Sequence, residues 1–310
     1  MLFGHPYYGI LGEFHSPSLM EGMTITIRIK GIPHFSGAFV SGSEMAPDAF
    51  RKAGLVMQLQ AKGLAVEDQG NLKLPDYLPR HNIPPVRNWP APRMVWDLLS
   101  KEAAEWLDQD DFLLMLGGDC SLIVGTAIAL QQQYGEQAYL LVMDGHLDAV
   151  VPSASRCIGA AGMGLWFLLQ DQGVWIERSG WTADRVKLVG CQRMPEEHFG
   201  VEIVTLDQLQ ADDLDRVINE VLASIPADAK ILVHFDVDVM NKEAMPAAYA
   251  PSETGISADE AQRLLTRVLQ DQRVVGMEVT EFSALRDTTG EQAQKLVEMM
   301  ALALEARESN

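Results

Sequence analysis

Apolar and polar positions alternate strictly from Met23 to Lys30, and the β-branched residues there predict a strand that Gly31, Ile32 and Pro33 end. Pro47 sits in the first turn of a helix predicted from there to Met57. Residues 70–92 are rich in proline and polar groups and predict a long surface loop, followed by a helix from Arg93 to Gln109. Phe112 to Leu116 is wholly apolar, the signature of a strand buried on both faces. It closes on Gly117, Gly118, Asp119 and Cys120, and a helix from Ser121 to Gln133 follows. A second buried strand spans Ala138 to Met143.

The alternation continues with a helix over 162–171, short strands at Val186–Gly190 and Val201–Thr205, and a helix from Asp213 to Ser224. The run from Ile231 to Phe235 belongs to a strand beginning at Lys230. A loop with Pro246, Pro251 and Gly255 separates it from a helix over Ser257–Asp271, where Ser257 and Glu260 form a capping box. The last strand covers Arg273–Val279, and an amphipathic helix runs from Gly290 to Ala306. This order, without internal repeats, predicts an α/β fold: three layers, α/β/α, around a central, mostly parallel sheet.

Composition narrows the picture. The 310 residues, 47% of them hydrophobic, suffice for one large core. The domain is placed at residues 23–310, behind an N-terminal extension, residues 1–22, that forms either an ordered arm or a frayed tail. Lys and Arg number 24 against 43 Asp and Glu, a net charge of −19, which argues against nucleic acid or an anionic membrane as the main partner. The three cysteines, Cys120, Cys157 and Cys191, fit a reducing, cytoplasmic setting and no disulfide framework. No apolar stretch reaches the roughly 18 residues of a membrane span, and no signal peptide is expected.

The chemistry gathers where strands end. Asp144, His146 and Asp148 follow the buried strand 138–143; if the extended conformation persists, alternation aims all three at one point. Carboxylates and an imidazole converging there are costly unless something pairs with them, and a divalent metal is the natural partner. Helix capping accounts for one such Asp but not for two with a His. Asp236 and Asp238 end another apolar run, and each alone also suits a cap or an Asx-turn. Together the two groups suggest oxygen and nitrogen ligands for two ions. Four strands deliver polar clusters at the carboxyl end of the sheet, where open α/β folds form their sites: Gly117–Cys120, Asp144–Asp148, Asp236–Asp238 and Glu278–Glu281.

Gly117–Ser121, Asp144–Asp148 and His234–Asp238 resemble the three metal motifs of the ureohydrolase (arginase/agmatinase) family, which read GGDHS, DAHxD and SxDxD. Gly31–Pro33, Pro47–Arg51 and Asp68–Asn71 resemble its N-terminal segments. The resemblance spans roughly residues 25 to 300 and implies an arginase/deacetylase-like fold, two Mn2+ ions bridged by hydroxide, and a trimer or hexamer. It implies one ion held by Asp144, His146, Asp236 and Asp238. The other is held by Asp144, Asp148, Asp236 and the residue at position 120. Glu281 matches the family's glutamate at the end of its last strand.

The chain departs from that pattern at the chemistry. Cys120 replaces the family's His. A thiolate favours Zn2+ or Fe2+ over Mn2+, so three outcomes stand open: a softer ion, a weakened position with one tight ion, or a buried thiol without a metal role. Ala161 stands where the family's proton-shuttling His aligns, and Val150 and Cys157 replace polar residues that contact the amino-acid end of arginine. Arg193 would repel an α-amino group. The expected activity is hydrolysis of a non-peptide C–N bond in a small guanidino or amidino molecule other than L-arginine, by metal-activated hydroxide. Glu281 and His198 are the expected catalytic residues, with His34 a further proton donor. Arg156 and Arg193 are expected to bind an anionic substrate group. The rival readings are an inactive homologue with a structural or regulatory role and a single-metal, deacetylase-like amidase.

Overall fold

Apolar runs of five to seven residues form strands here because each is covered on both sides. The computed structural model describes residues 25–107 and 111–309. In chain order the elements are β1 (Thr26–Gly31), α1 (Ala46–Lys52), α2 (Leu55–Ala61), β2 (Ala65–Asn71), β3 (Arg80–His81), β4 (Trp89–Pro90), α3 (Ala91–Leu107), β5 (Phe112–Leu116), α4 (Leu122–Tyr134), β6 (Ala138–Met143), α5 (Gly164–Leu169), β7 (Val186–Cys191), β8 (Glu202–Thr205), α6 (Leu206–Ala211), α7 (Leu214–Ser224), β9 (Lys230–Asp236), α8 (Ala258–Leu269), β10 (Val274–Thr280) and α9 (Glu291–Glu308). The 1–22 extension lies outside the described residues.

Eight strands form one sheet in the order β2-β1-β5-β10-β9-β6-β7-β8. Every pairing within it is parallel. Alternate residues feed two cores. Phe112, Leu114, Leu116, Ile231, Val233 and Phe235 pack with α1, α2, α7, α8 and α9 on one face. Leu113, Met115, Leu140, Val142 and Leu232 pack with α3, α4 and α5 on the other. The three-layer α/β/α architecture expected from the sequence is therefore present.

Some local expectations are corrected. The single helix expected over 47–57 is broken, because Gly54 takes a left-handed conformation (φ 88°) between α1 and α2. Residues 70–92 are not one loop: Asn71 ends β2, an edge strand, and β3 and β4 pair as a small antiparallel ribbon. Short α6 was also missed, although Thr205 and Gln208 form a capping box at its start. Ser257 and Glu260 make the expected one on α8. Among the described residues no helix is long and apolar enough to cross a membrane.

Candidate metal centre and active site

Four adjacent central strands, β5, β10, β9 and β6, bring their carboxyl ends together. After β5 the chain turns sharply through Gly118, whose φ of 127° suits glycine and where a Cβ would meet the His34 carbonyl oxygen at 2.9 Å. Asp119 is fully buried and accepts hydrogen bonds from the backbone N–H groups of Gly37 (2.9 Å) and Ser121 (3.0 Å). It ties the loop after β1 to the start of α4. Cys120 follows, with its N–H donating to Glu281 Oε1 at 2.8 Å and its Sγ 2.7 Å from Asp236 Oδ2.

Asp144, His146 and Asp148 reach one site, but not one point and not through a continued strand: Asp144 groups with His146 in one donor set and with Asp148 in another. β6 stops at Met143, Asp144 Oδ1 accepts from the His146 N–H at 2.6 Å, and Asp148 is left-handed (φ 49°). A compact turn aims the side chains. It needs Gly145, because a Cβ there would lie 3.0 Å from the Asp238 carbonyl oxygen and 2.6 Å from Gln192 Nε2. On β9, Asp236 Oδ1 accepts from the Asp238 N–H at 2.7 Å, which holds the following turn.

Overlapping donor sets result, two of which face the cavities. Asp144, His146 and Asp238 offer ligand atoms within 4.8 Å of one another, as do Cys120, Asp144, Asp148 and Asp236. Asp144 belongs to both. His146 is half-exposed, its Nδ1 3.1 Å from Asp238 Oδ2 and 3.6 Å from Asp144 Oδ1. Hydrogen bonds with Asp144 and Asp238 push its imidazole up to about 12. Burial, then repulsion from neighbouring carboxylates, pushes Asp148 and Asp236 well above the ordinary carboxylate range. Burial followed by Asp119 does the same to Glu281, and burial with the surrounding carboxylates raises the Cys120 thiol. Oε2 of Glu281 is buried without a hydrogen-bond partner. So many carboxyls crowded together out of water ask for a cation, and oxygen, nitrogen and sulfur donors at this spacing fit divalent ions.

Two cavities meet at His146 and Asp148. The inner one, about 220 Å3, is bounded by Gly37–Phe39, Asp236, Asp238, Tyr249 and Glu281, with Ala161 in its wall. The Tyr249 hydroxyl accepts from the N–H groups of Phe39 (2.8 Å) and Val40 (2.9 Å), and the Tyr249 N–H donates to the Glu281 carbonyl (2.7 Å), so one residue fixes both sides. The outer cleft, about 670 Å3, includes Val150, Gln192, Arg193, Glu197, Ser252 and Thr254. Arg193 thus stands at the mouth. His198 and Arg156 are exposed and line neither cavity. His34 is buried, 2.9 Å from Ser36 Oγ, and also lines neither.

Sequence reasoning passed over one buried pair, His234 on β9 and Glu278 on β10. The signals were a titratable residue inside each of two apolar strands and an imidazole at position 234, where the third motif has serine.

A family model described as the Arginase family matches residues 25–305. The chain belongs to the arginase family. This arginase-family chain is 28% identical to Arginase-1 of Xenopus laevis over 258 residues, covering 77% of this chain and 80% of that protein. Among solved structures it resembles arginase from Bacillus caldovelox, with TM-score 0.79 and 22% identity, covering 90% of this chain and 98% of that one. It also resembles a variant of Trypanosoma cruzi formiminoglutamase with Mn2+, with TM-score 0.75 and 17% identity, covering 94% and 96%.

Proposed function

We propose that this chain is a metal-dependent hydrolase of a non-peptide C–N bond in a small guanidino or amidino compound other than L-arginine. The observation that carries the reading is the pair of donor sets sharing Asp144, which open onto a small cavity with the unpartnered Glu281 carboxylate oxygen in its wall. Family membership supports the reaction class, and the relatives named arginase and formiminoglutamase act, as their names say, on a guanidino and a formimino compound.

Asp144, His146 and Asp238 would hold one divalent ion, and Cys120, Asp144, Asp148 and Asp236 a second. When bound, such ions supply Lewis acidity and lower the pKa of water toward neutrality. Glu281 would accept a hydrogen bond from an amidino N–H through Oε2, because Oε1 is already engaged by the Cys120 N–H. Tyr249 keeps Phe39 and Glu281 in place around the substrate. The α-ammonium group of L-arginine is disfavoured by Arg193 at the mouth, where a carboxylate without an adjoining cation is the better guest. Ala161 puts no titratable group at its own place in the inner cavity wall, so a proton for the leaving nitrogen has to come from elsewhere in the site. A cytoplasmic trimer or hexamer belongs to the same proposal.

The test pairs metal analysis with ammonia and urea release across a panel of guanidino and amidino acids. Bound divalent ions and release from a member other than arginine are expected. A chain that takes up no Mn2+, Zn2+ or Fe2+ after reconstitution is not this enzyme.

A further inference from the structure

His234 and Glu278 are both about 1% exposed, and they are a costly pair to place inside a sheet unless they serve something. His234 precedes Asp236 by two residues on β9, so both face the α3–α4 side, and Glu278 is its register partner on β10. His234 Nδ1 lies 2.6 Å from Glu278 Oε1. A carboxylate accepts there, so Nδ1 carries the proton and Nε2 presents its lone pair. That lone pair does not face the apolar layer. Cys120 Sγ is 3.4 Å from Nε2, and Thr280 Oγ1 is 3.3 Å away. Cys120, Asp144 and His234 offer ligand atoms within 4.8 Å of one another, all three residues buried.

The sequence shows the matching exchange. Position 120 lacks the imidazole that the family's first motif carries, and position 234 has an imidazole where the third motif has serine. We infer that the imidazole has moved between strands: His234, oriented by Glu278, and Cys120 together supply nitrogen and sulfur to an inner ion that also uses Asp144. This rests on the metal-site reading above and sharpens it. A sulfur, nitrogen and carboxylate set selects a borderline-soft ion, Zn2+ or Fe2+, over Mn2+. Glu278 acts through His234 and is a positioning residue.

The experiment uses the full chain stripped of metal and titrated with Co2+. A sulfur-to-cobalt charge-transfer band in the near ultraviolet is expected. C120S should lose the band while Co2+ still binds. E278Q should weaken the inner ion about 10- to 100-fold, the usual effect of removing a carboxylate behind a ligating His. H234A should weaken it at least as much, and Zn2+ should displace Mn2+ from the wild type. Should H234A fail to fold, X-ray absorption on the zinc-loaded wild type decides: a sulfur scatterer at about 2.3 Å with imidazole scattering supports the assignment, and oxygen and nitrogen alone overturn it. Ions bound without a sulfur band, or H234A binding like wild type, defeat this inference and leave the hydrolase reading standing. A chain that binds no ion at all defeats both.

Discussion

Asp144 is the residue on which the candidate centre turns, because its carboxylate belongs to every donor set while His146 belongs to one. D144N is therefore expected to remove nearly all bound metal, and H146A to remove about half, as measured by ions per chain after equilibration and desalting. Equal losses would mean that the sets are not independent. The grouping of Asp144 with His146 and Asp148 was legible in the sequence from two carboxylates and a His after a buried strand, although a turn with left-handed Asp148, not strand alternation, directs the side chains. His234 was hidden for a related reason. Inside the run from Ile231 to Phe235 it passes for part of an apolar strand, and its register with Glu278 shows that a hydrogen-bonded polar pair crosses the core.

Buried strands such as β5 and β6 could be placed from sequence to the residue, because burial on both faces leaves an uninterrupted apolar run. β2 could not. As an edge strand with Glu67 and Asp68 exposed, it has no apolar signature and is held partly by side chains. Arg51 on α1 makes a two-pronged contact with Asp68, 2.8 and 2.9 Å. The Arg51 hydrogen bond, first among its influences, holds the Asp68 carboxyl below the ordinary carboxylate range. The sign follows directly: this stabilisation is complete above the unfolded-state pKa of about 4 and is lost as pH falls through the lower folded value. R51A should thus cost on the order of 0.5–1 kcal/mol at pH 7 and progressively less below pH 4, read from urea unfolding at several pH values. An R51A cost that stays constant down to about pH 2 would show that Asp68 is not the partner that matters.

Across the whole molecule, the helical layer behind the sheet and the candidate site are mechanically continuous. Phe50 on α1 is fully buried and packs at 4.9 Å between ring centroids on Phe282, the residue after Glu281. F50A should cost about 3–5 kcal/mol, the usual range for a buried Phe, seen as a lower denaturation midpoint with unchanged slope. If the packing also sets Glu281, the variant should lose substrate affinity while keeping its metal, and calorimetry with any active substrate separates the two. The three layers and the position of the site at the strand ends were legible in the sequence because both follow from strand–helix alternation. The depth and walls of the cavities were not, because they depend on loops from residues as far apart as Gly37 and Tyr249.

The strand order carries a consequence for synthesis. β10 begins at Val274, after every other strand of the sheet, yet it lies between β5 and β9 at the centre. A chain emerging from the ribosome must keep a slot open in the middle of the sheet, with two unpaired apolar strand borders, until Val274 to Thr280 arrive. Asp144 and Asp236 exist long before then, but Glu281 and Glu278 do not. Premature termination before Val274 should thus yield an aggregation-prone fragment rather than a smaller working protein, and completion of the sheet and of the ion cradle should be one late event.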